Sequence, residues 1–144
     1  MRQYVGIILV KDDGSVLAQH RDDKPEILGP DTWCVTGGAR EEDDKDLKTT
    51  ACRELKEETD YILNPSDIHF LALDVYRTEK GREVQRTILW ARYDGEQTIY
   101  TNEGQEIRFI RPAELNTLNF YTGHQNFLKR ASEKVFNPRI ENKG

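Results

Sequence analysis

The residues best suited to chemistry are three glutamates spaced closely along the chain, Glu54, Glu57 and Glu58. Each residue of a helix advances by about 100°, so the three carboxylates share an arc of about 100° within one turn. Ala51 and Leu55 fall on the neighbouring arc, where they would pack the helix on other elements. The spacing therefore predicts a helix that presents three carboxylates at the edge of the core instead of out in solvent.

Three carboxylates this close repel one another, because like charges four residues apart already destabilise an exposed helix. A divalent cation would relieve the repulsion, and hard oxygen ligands suit Mg²⁺ or Mn²⁺, which also bind substrate phosphates. The alternative is a solvated acidic face that pairs with Arg53 and Lys56. Residues 53–58 alone leave both interpretations open.

The charge distribution singles out the same segment. Residues 41–60 hold nine acidic and four basic residues, which accounts for the net charge of −5 of the whole chain. A local negative segment in an otherwise balanced chain is typical of a solvated helix face or a cation site. It argues against duplex nucleic acid as a partner, because duplex binding needs clustered lysine and arginine.

Length and composition favour a single domain over residues 1–144. No run approaches the ~20 apolar residues that span a bilayer, and the N-terminus does not have the pattern of a signal peptide. Cys34 and Cys52 lie far apart, so small buried thiols are expected instead of a disulfide. These observations predict a cytoplasmic protein with no membrane partner.

The elements that must position the glutamates are indicated by apolar runs and turn residues. Two hairpins are predicted, each with a glycine in its turn. The predicted strands are 4–10, 16–20, 33–36, 68–78, 83–93 and 106–110, and the predicted helices are 46–59, a short one from Pro112, and 124–135 before a frayed tail. Strands grouped around one central helix, with another helix at the end, favour a mixed α+β fold over regular βαβ alternation.

Gly37-Gly38 ends a predicted strand shortly before the acidic helix, and this arrangement resembles the Nudix hydrolase family. The family signature is G-x5-E-x7-R-E-U-x-E-E-x-G-U, where U is an aliphatic residue. This chain reads Gly38-Ala39-Arg40-Glu41-Glu42-Asp43-Asp44, then eight residues, then Arg53-Glu54-Leu55-Lys56-Glu57-Glu58-Thr59-Asp60-Tyr61. The Arg-Glu-Leu-x-Glu-Glu half is intact, and Trp33, the first hairpin and residues 103–109 also look like the family.

Several positions depart from the signature. The first acid is Asp44 where the family has glutamate, and one extra residue separates it from Arg53. Asp60 replaces a glycine, and aspartate tolerates the left-handed conformation that a helix end often needs. Tyr61 is aromatic where the family is aliphatic, and Thr36 stands where many members carry proline. The metal-ligand half is unchanged, whereas the loop is well anchored only if Asp44 reaches the family's position.

The resemblance implies an α/β/α sandwich with a mixed central sheet flanked by helices. It implies that Glu54, Glu57 and Glu58 bind Mg²⁺ or Mn²⁺ together with the Gly38 backbone, which side chains would otherwise obstruct. Arg53 would orient a carboxylate of this set by charge-assisted hydrogen bonds.

A carboxylate outside the helix often serves as the base in this family. Glu103 is the first choice because it lies in a predicted turn, and Glu106 is the second. The implied catalytic residues are therefore Glu57, Glu54, Arg53 and Glu103. The implied reaction is attack of water on phosphorus in a nucleoside diphosphate linked to another group.

Candidates for substrate contact lie outside the acidic helix. Arg21 and Arg40 flank the signature and could touch phosphates, although isolated surface bases are the plainer interpretation. Tyr76 and Trp90 lie in the paired strands expected to face the site, where aromatic rings either stack on a nucleobase or pack in the core. The implied partner is a small-molecule nucleotide, and the family also suggests a homodimer.

Two other functions stay open for this fold. A nucleotide-binding regulatory module would keep the fold without turnover, and Asp44, Asp60 and the longer loop favour it. A relative that cleaves nucleotide sugars at the sugar carbon would release free sugar instead of a sugar phosphate. For the hydrolase, a nucleoside triphosphate or a nucleotide sugar suits a short chain without an added domain.

Overall fold

The computed structural model describes residues 1–136, which form seven strands and two α-helices. The strands are β1 (Arg2–Val10), β2 (Val16–His20), β3 (Trp33–Cys34), β4 (Thr36–Ala39), β5 (His69–Arg77), β6 (Glu83–Arg92) and β7 (Glu106–Ile110). The helices are α1 (Leu47–Thr59) and α2 (His124–Glu133), with short 3-10 helices at Pro65–Asp67 and Pro112–Asn116. The predicted frayed tail lies outside the described residues, so a single domain over 1–144 stays a prediction.

One mixed sheet contains the strands of residues 1–136. Its main path runs β3-β2-β1-β6-β5, while β4 also pairs with β1 and β7 with β2. β1 pairs in parallel with β6 over its whole length, and the other strand pairs are antiparallel. The second edge of β1 is divided, because β2 pairs at Val10 and β4 pairs from Tyr4 to Ile7. This division brings β4 and its glycines next to the start of β1.

The two helices cover opposite faces of the sheet. Side chains of a strand alternate between faces, so Ile7 and Leu9 pack with Leu55 of α1, whereas Ile8 packs with Leu128 of α2. Each fully buried side chain of this size contributes about 1.5–3 kcal/mol to folding. The expected α/β/α arrangement is confirmed. None of the helices in residues 1–136 is long and apolar enough to cross a membrane.

An aspartate bounds α1 at each end. Asp46 Oδ1 accepts a hydrogen bond from the Thr49 N–H at 2.8 Å, the usual role of an N-cap residue. Asp60 adopts a φ of 67°, in the left-handed region, and donates its N–H to the Lys56 carbonyl. This conformation ends the helix. The conformation predicted for Asp60 is thus confirmed, and α1 holds its glutamates in a fixed orientation.

Candidate active site

Glu58 is the most buried of the three glutamates, with 2% of its surface exposed. Its Oε2 accepts a hydrogen bond from the Gly37 N–H at 3.1 Å. Burial, together with the charges of Glu103 and Glu54, raises the pKa of Glu58 to about 9. Among residues 1–136 no basic side chain forms an ion pair with it, so a cation would supply the compensation that a buried carboxylate needs.

Glu54 packs directly on the backbone of β4. A Cβ added at Gly38 would collide with the Glu54 carboxylate, so glycine is required for this approach. Burial raises the pKa of Glu54, although Arg53 beside it acts in the opposite direction. Glu54 and Glu58 therefore converge on two consecutive glycine residues, Gly37 and Gly38.

Arg53 links the helix to β4 and to the preceding loop. Its Nη1 donates to Glu54 Oε1 at 3.0 Å and to Glu57 Oε1 at 3.4 Å. Its Nη2 donates to the Ala39 carbonyl at 3.2 Å and to Asp44 Oδ2 at 2.9 Å. The hydrogen bonds to Asp44 raise the pKa of Arg53 above its usual range. The guanidinium is thus placed to orient two carboxylates at once.

Asp44 is buried although it is shorter than the family's glutamate. Besides Arg53, its carboxylate accepts hydrogen bonds from the Glu41 N–H at 2.9 Å and the Thr50 hydroxyl at 2.8 Å. These donors, with Arg53 the strongest, hold the pKa of Asp44 well below its usual range. Asp44 therefore anchors the loop in spite of the extra residue before Arg53.

The loop that carries Glu103 is tethered to the end of α1. The Asn102 N–H donates to the Glu58 carbonyl at 2.9 Å, and Asn102 Nδ2 donates to Asp60 Oδ1 at 3.1 Å. Asp60 therefore has a second role that a glycine at this position could not have. The tether holds the residue before Glu103 against the end of α1.

The two candidates for the base differ in their surroundings. The charge of Glu103 raises the pKa of both Glu54 and Glu58, so these carboxylates share one electrostatic environment. Glu106 lies instead on β7, where it accepts a hydrogen bond from Arg108 Nε at 3.3 Å. This placement favours Glu103.

Glu57 is the most exposed of the three glutamates, with 59% of its side chain exposed, and it contacts Arg53. As they stand, no three His, Cys, Asp or Glu side chains within residues 1–136 are grouped closely enough to hold a metal ion. The donor chemistry nevertheless fits a hard divalent cation, because Glu54 and Glu58 offer carboxylate oxygens beside an unobstructed Gly38 backbone. Glu57 would complete the set by turning away from Arg53.

A cleft of about 1020 Å³ opens beside Gly37 and Gly38. Two of the predicted substrate-binding residues, Arg21 and Tyr76, line it. Arg21 Nε donates to the Leu28 carbonyl at 2.8 Å, which holds the side chain along the wall.

The other two predicted substrate-binding residues, Arg40 and Trp90, do not line the cleft. Arg40 Nη2 donates to the Asp44 carbonyl at 3.2 Å and so braces the loop. Trp90 lies on the same face of β6 as the cleft residue Arg86, but α2 covers this part of the strand. Trp90 is 1% exposed and belongs to the core with Phe127. The expectation for Trp90 is corrected by the structure, whereas substrate contact by the exposed Arg40 stays a prediction.

Arg86 lines the cleft, although the sequence patterns did not identify it as a site residue. Its guanidinium binds the Asp74 carboxylate through two hydrogen bonds of 2.9 and 2.8 Å and donates to the Thr122 carbonyl at 2.7 Å. The ion pair joins β5 and β6 to the turn before α2. A signal was present, because Arg86 occupies an inward position of the strand between Val84 and Ile88.

His124 and Tyr121 are further cleft residues that sequence reasoning missed. His124 Nδ1 accepts a hydrogen bond from the Val35 N–H at 2.9 Å, so its proton is on Nε2. Burial, with the charge of Arg86, lowers the pKa of His124 to about 3, which keeps the ring neutral. The Tyr121 hydroxyl is a buried polar atom without a partner in residues 1–136. No local pattern marked either residue.

Comparison with known proteins gives consistent results. A family model described as NUDIX domain matches residues 1–131. The NUDIX domain of Shewanella oneidensis NrtR, solved with ADP ribose, is similar in structure with a TM-score of 0.77 at 19% identity, covering 92% of this chain and 87% of that chain.

Two further solved structures are similar. A MutT/nudix family protein from Enterococcus faecalis has a TM-score of 0.73 at 16% identity, and the match covers 97% of this chain but 62% of that one. The MutT protein from Methanosarcina mazei Go1 has a TM-score of 0.74 at 16% identity, covering 99% and 96%. No curated protein matches this chain. At these identities the solved structures establish the fold alone.

Proposed function

The chain belongs to the Nudix family and is a hydrolase of phosphorus-containing anhydrides, and from this premise we propose that it is a metal-dependent pyrophosphohydrolase. Its proposed substrate is a nucleoside diphosphate linked to another group, either a nucleoside triphosphate or a nucleotide sugar. The observation that carries the proposal is the convergence of Glu54 and Glu58 on Gly37 and Gly38 beside the cleft. A cytoplasmic location and a homodimer stay predictions.

The carboxylates of Glu54, Glu57 and Glu58, with the Gly38 carbonyl, would hold Mg²⁺ or Mn²⁺. When bound, the ion supplies positive charge against the diphosphate and the developing charge of the transition state. Arg53 would keep Glu54 in orientation, since it already donates to Glu54 Oε1 at 3.0 Å.

Glu103 would accept a proton from the attacking water. The water oxygen forms a bond to one phosphorus, and the bond from that phosphorus to the bridging oxygen breaks, so the bridging oxygen departs with the second phosphate. A nucleotide sugar then gives a nucleoside monophosphate and a sugar phosphate, whereas a nucleoside triphosphate gives a nucleoside monophosphate and pyrophosphate. Asn102 supports this role because it holds the loop against the end of α1. A base fixed within reach of the reacting water contributes about 10²–10⁴-fold to such a step.

Arg21 and Tyr76 would contact the substrate from the cleft walls, the arginine through a phosphate and the tyrosine by stacking on a ring. ADP ribose, which the NrtR domain binds, is one compound to test on this chain. The departures at Asp44 and Asp60 give little support to a module without turnover, because both residues have defined anchoring contacts.

The test is a product-resolved hydrolysis assay in H₂¹⁸O with ADP ribose, nucleoside triphosphates and UDP-sugars. Each substrate is incubated with Mg²⁺, Mn²⁺ or chelator. The proposal expects metal-dependent release of nucleoside monophosphate, with ¹⁸O on one of the two phosphate products. Glu57→Gln should lower kcat by at least about a hundredfold, more than the loss of an outer-shell partner of a metal site costs.

Glu42→Gln is the matched control, since Glu42 is an exposed acid in the loop before α1. It should leave kcat unchanged. Release of free sugar with nucleoside diphosphate would show cleavage at the sugar carbon instead. A nucleotide that raises the melting temperature without turnover would show a binding module. Either result would refute the proposed reaction.

A further inference from the structure

The cleft has the opposite charge to the rest of the molecule. The whole chain has a net charge of −5, yet six basic side chains and one acidic side chain line the cleft. The basic residues are Arg2, Arg21, Arg77, Lys80, Arg82 and Arg86. A cleft lined by charges of one sign concentrates ligands of the other sign.

Four of these basic side chains make no ion pair within residues 1–136, namely Arg2, Arg21, Lys80 and Arg82. Arg86, in contrast, is neutralised by Asp74. Arg77 Nη2 lies 3.9 Å from Glu83, the one acidic residue among those lining the cleft. Arg21 is held along the cleft wall by the Leu28 carbonyl. The other three unpaired cations lie together at one end of the cleft, which we call the basic rim (Arg2, Lys80 and Arg82).

Hydrogen bonds hold the backbone of the turn that carries two residues of the basic rim. Lys80 and Arg82 lie on the turn between β5 and β6, which is closed by hydrogen bonds from the Thr78 N–H to the Arg82 carbonyl and from the Gly81 N–H to the Thr78 carbonyl. Gly81 adopts a φ of 82°, a conformation that glycine adopts without strain. The hairpin thus presents two cations next to the start of β1.

The strand register separates the basic rim from the carboxylates of α1. Gly38 pairs with Val5, and Arg2 pairs with Val84 at the start of β6. Three residues of a strand span about 10 Å, and the hairpin turn lies further still in the same direction. A diphosphate bound beside Gly38 therefore lies about 10 Å or more from the backbone of the basic rim.

We propose that the basic rim is a second anion subsite, which binds a phosphate or carboxylate carried by the same substrate at the end remote from its diphosphate. This inference rests on the proposed function for the place of the diphosphate. It narrows the substrate class to compounds with a further negative charge, either on the nucleoside, such as a ribose phosphate, or on the group linked to it, such as a uronic acid.

Pairs of product-like ligands test the subsite without any turnover. Binding is measured by calorimetry in Mg²⁺ for AMP against adenosine 3′,5′-bisphosphate, and for glucose 1-phosphate against glucuronic acid 1-phosphate. In at least one pair, the member with the additional phosphate or carboxylate should bind about tenfold more tightly, the size expected of two or three exposed ion pairs. The pair that shows the preference identifies which end of the substrate reaches the basic rim.

The double variant Lys80→Gln/Arg82→Gln should remove this preference and leave the affinity for AMP and glucose 1-phosphate within about twofold. Lys45→Gln/Lys48→Gln, which neutralises two lysines near the start of α1, should keep it. The preference should also weaken between 50 and 500 mM salt, because exposed charges are screened.

Equal affinities within both pairs, or a preference that survives Lys80→Gln/Arg82→Gln, would overturn the second subsite. Failure of the proposed function has a different signature, namely no metal-dependent turnover of any substrate. The binding readout does not depend on turnover, so the two results are distinguishable.

Discussion

Gly38 determines how closely Glu54 approaches the β4 backbone. Its φ lies outside the left-handed region, so alanine can adopt the same backbone, but the added Cβ would displace the Glu54 carboxylate. We expect Gly38→Ala to lower kcat by about a hundredfold, as small displacements of catalytic groups do. The free energy of unfolding, from urea titration, should change by less than about 1 kcal/mol, because a side-chain end can move.

Gly95→Ala is the converse control. Residue 95 has open space around its missing Cβ but a φ of 78°, so alanine there costs about 1–2 kcal/mol in backbone strain without touching the site. Its kcat should equal that of the wild type. Similar activity losses in both variants would mean that Gly38 acts through stability, against our interpretation.

Asp44 contributes a negative charge that Arg53 needs to stay in place. In Asp44→Asn an amide replaces the carboxylate among three donors, from Arg53, the Glu41 N–H and the Thr50 hydroxyl. We expect a lower melting temperature and a kcat reduced by about 10- to 100-fold, as for other outer-shell partners of a metal site. Asp43→Asn, at an exposed neighbouring position, should match the wild type in both assays. Unchanged activity in Asp44→Asn would show that Arg53 is oriented without it.

At the scale of elements, local signals predicted more than tertiary ones. Residues 46–59 were predicted as a helix, and α1 spans Leu47–Thr59. The prediction was close because the residues that bound the helix, the N-cap Asp46 and the left-handed Asp60, adjoin it in the sequence. The hairpin of β5 and β6 was also predicted, from the turn between them. No local pattern shows which part of β6 is covered by α2. Trp90 was therefore predicted to contact substrate, and Arg86 was not.

The first turn of α2 makes stability depend on pH through His124. Its pKa is about 3 in the folded protein against about 6.5 in an unfolded chain. Below pH 6.5 the ring is therefore protonated in the unfolded state but stays neutral in the folded state. The contribution of His124 to the free energy of unfolding is fully present above pH 6.5 and is lost as the pH falls. Between pH 7 and pH 5 the free energy of unfolding should decrease by about 2 kcal/mol from this group.

Urea unfolding of His124→Asn at pH 7, 6 and 5 tests this effect. The asparagine oxygen can accept the Val35 N–H but does not titrate, so the variant should be less stable at pH 7 and show a flatter decline. Asn126→Gln, at an exposed position of α2, changes no titratable group and should keep the wild-type slope. An unaltered decline in His124→Asn would assign the acid sensitivity to other groups.

At the scale of the whole molecule, the site depends on pairings between distant parts of the chain. β1 pairs in parallel with β6 and antiparallel with β4, and only this arrangement places the glycines, the cleft and the hairpin turn on one surface. The sequence patterns predicted six strands, with one at residues 33–36 where the structure has β3 and β4, and Gly37 and Gly38 lie within β4 instead of after a strand. The patterns contained no information on the partners of β1 in β4 and β6. The separation of charge follows from the same topology, with acidic residues on α1 and basic residues at the far end of the cleft.

This separation predicts how a divalent cation changes global stability. Residues 41–60 account for a net charge of −5, and Glu58 is buried among other acids without an ion pair in residues 1–136. Mg²⁺ at tenfold its dissociation constant should therefore stabilise the fold by about 1.4 kcal/mol. The rise in melting temperature should vanish in Glu54→Gln/Glu57→Gln, and NaCl of equal ionic strength should produce a much smaller rise, since screening is not site-specific. Equal rises with both salts would show that the carboxylates of α1 repel one another without forming a cation site.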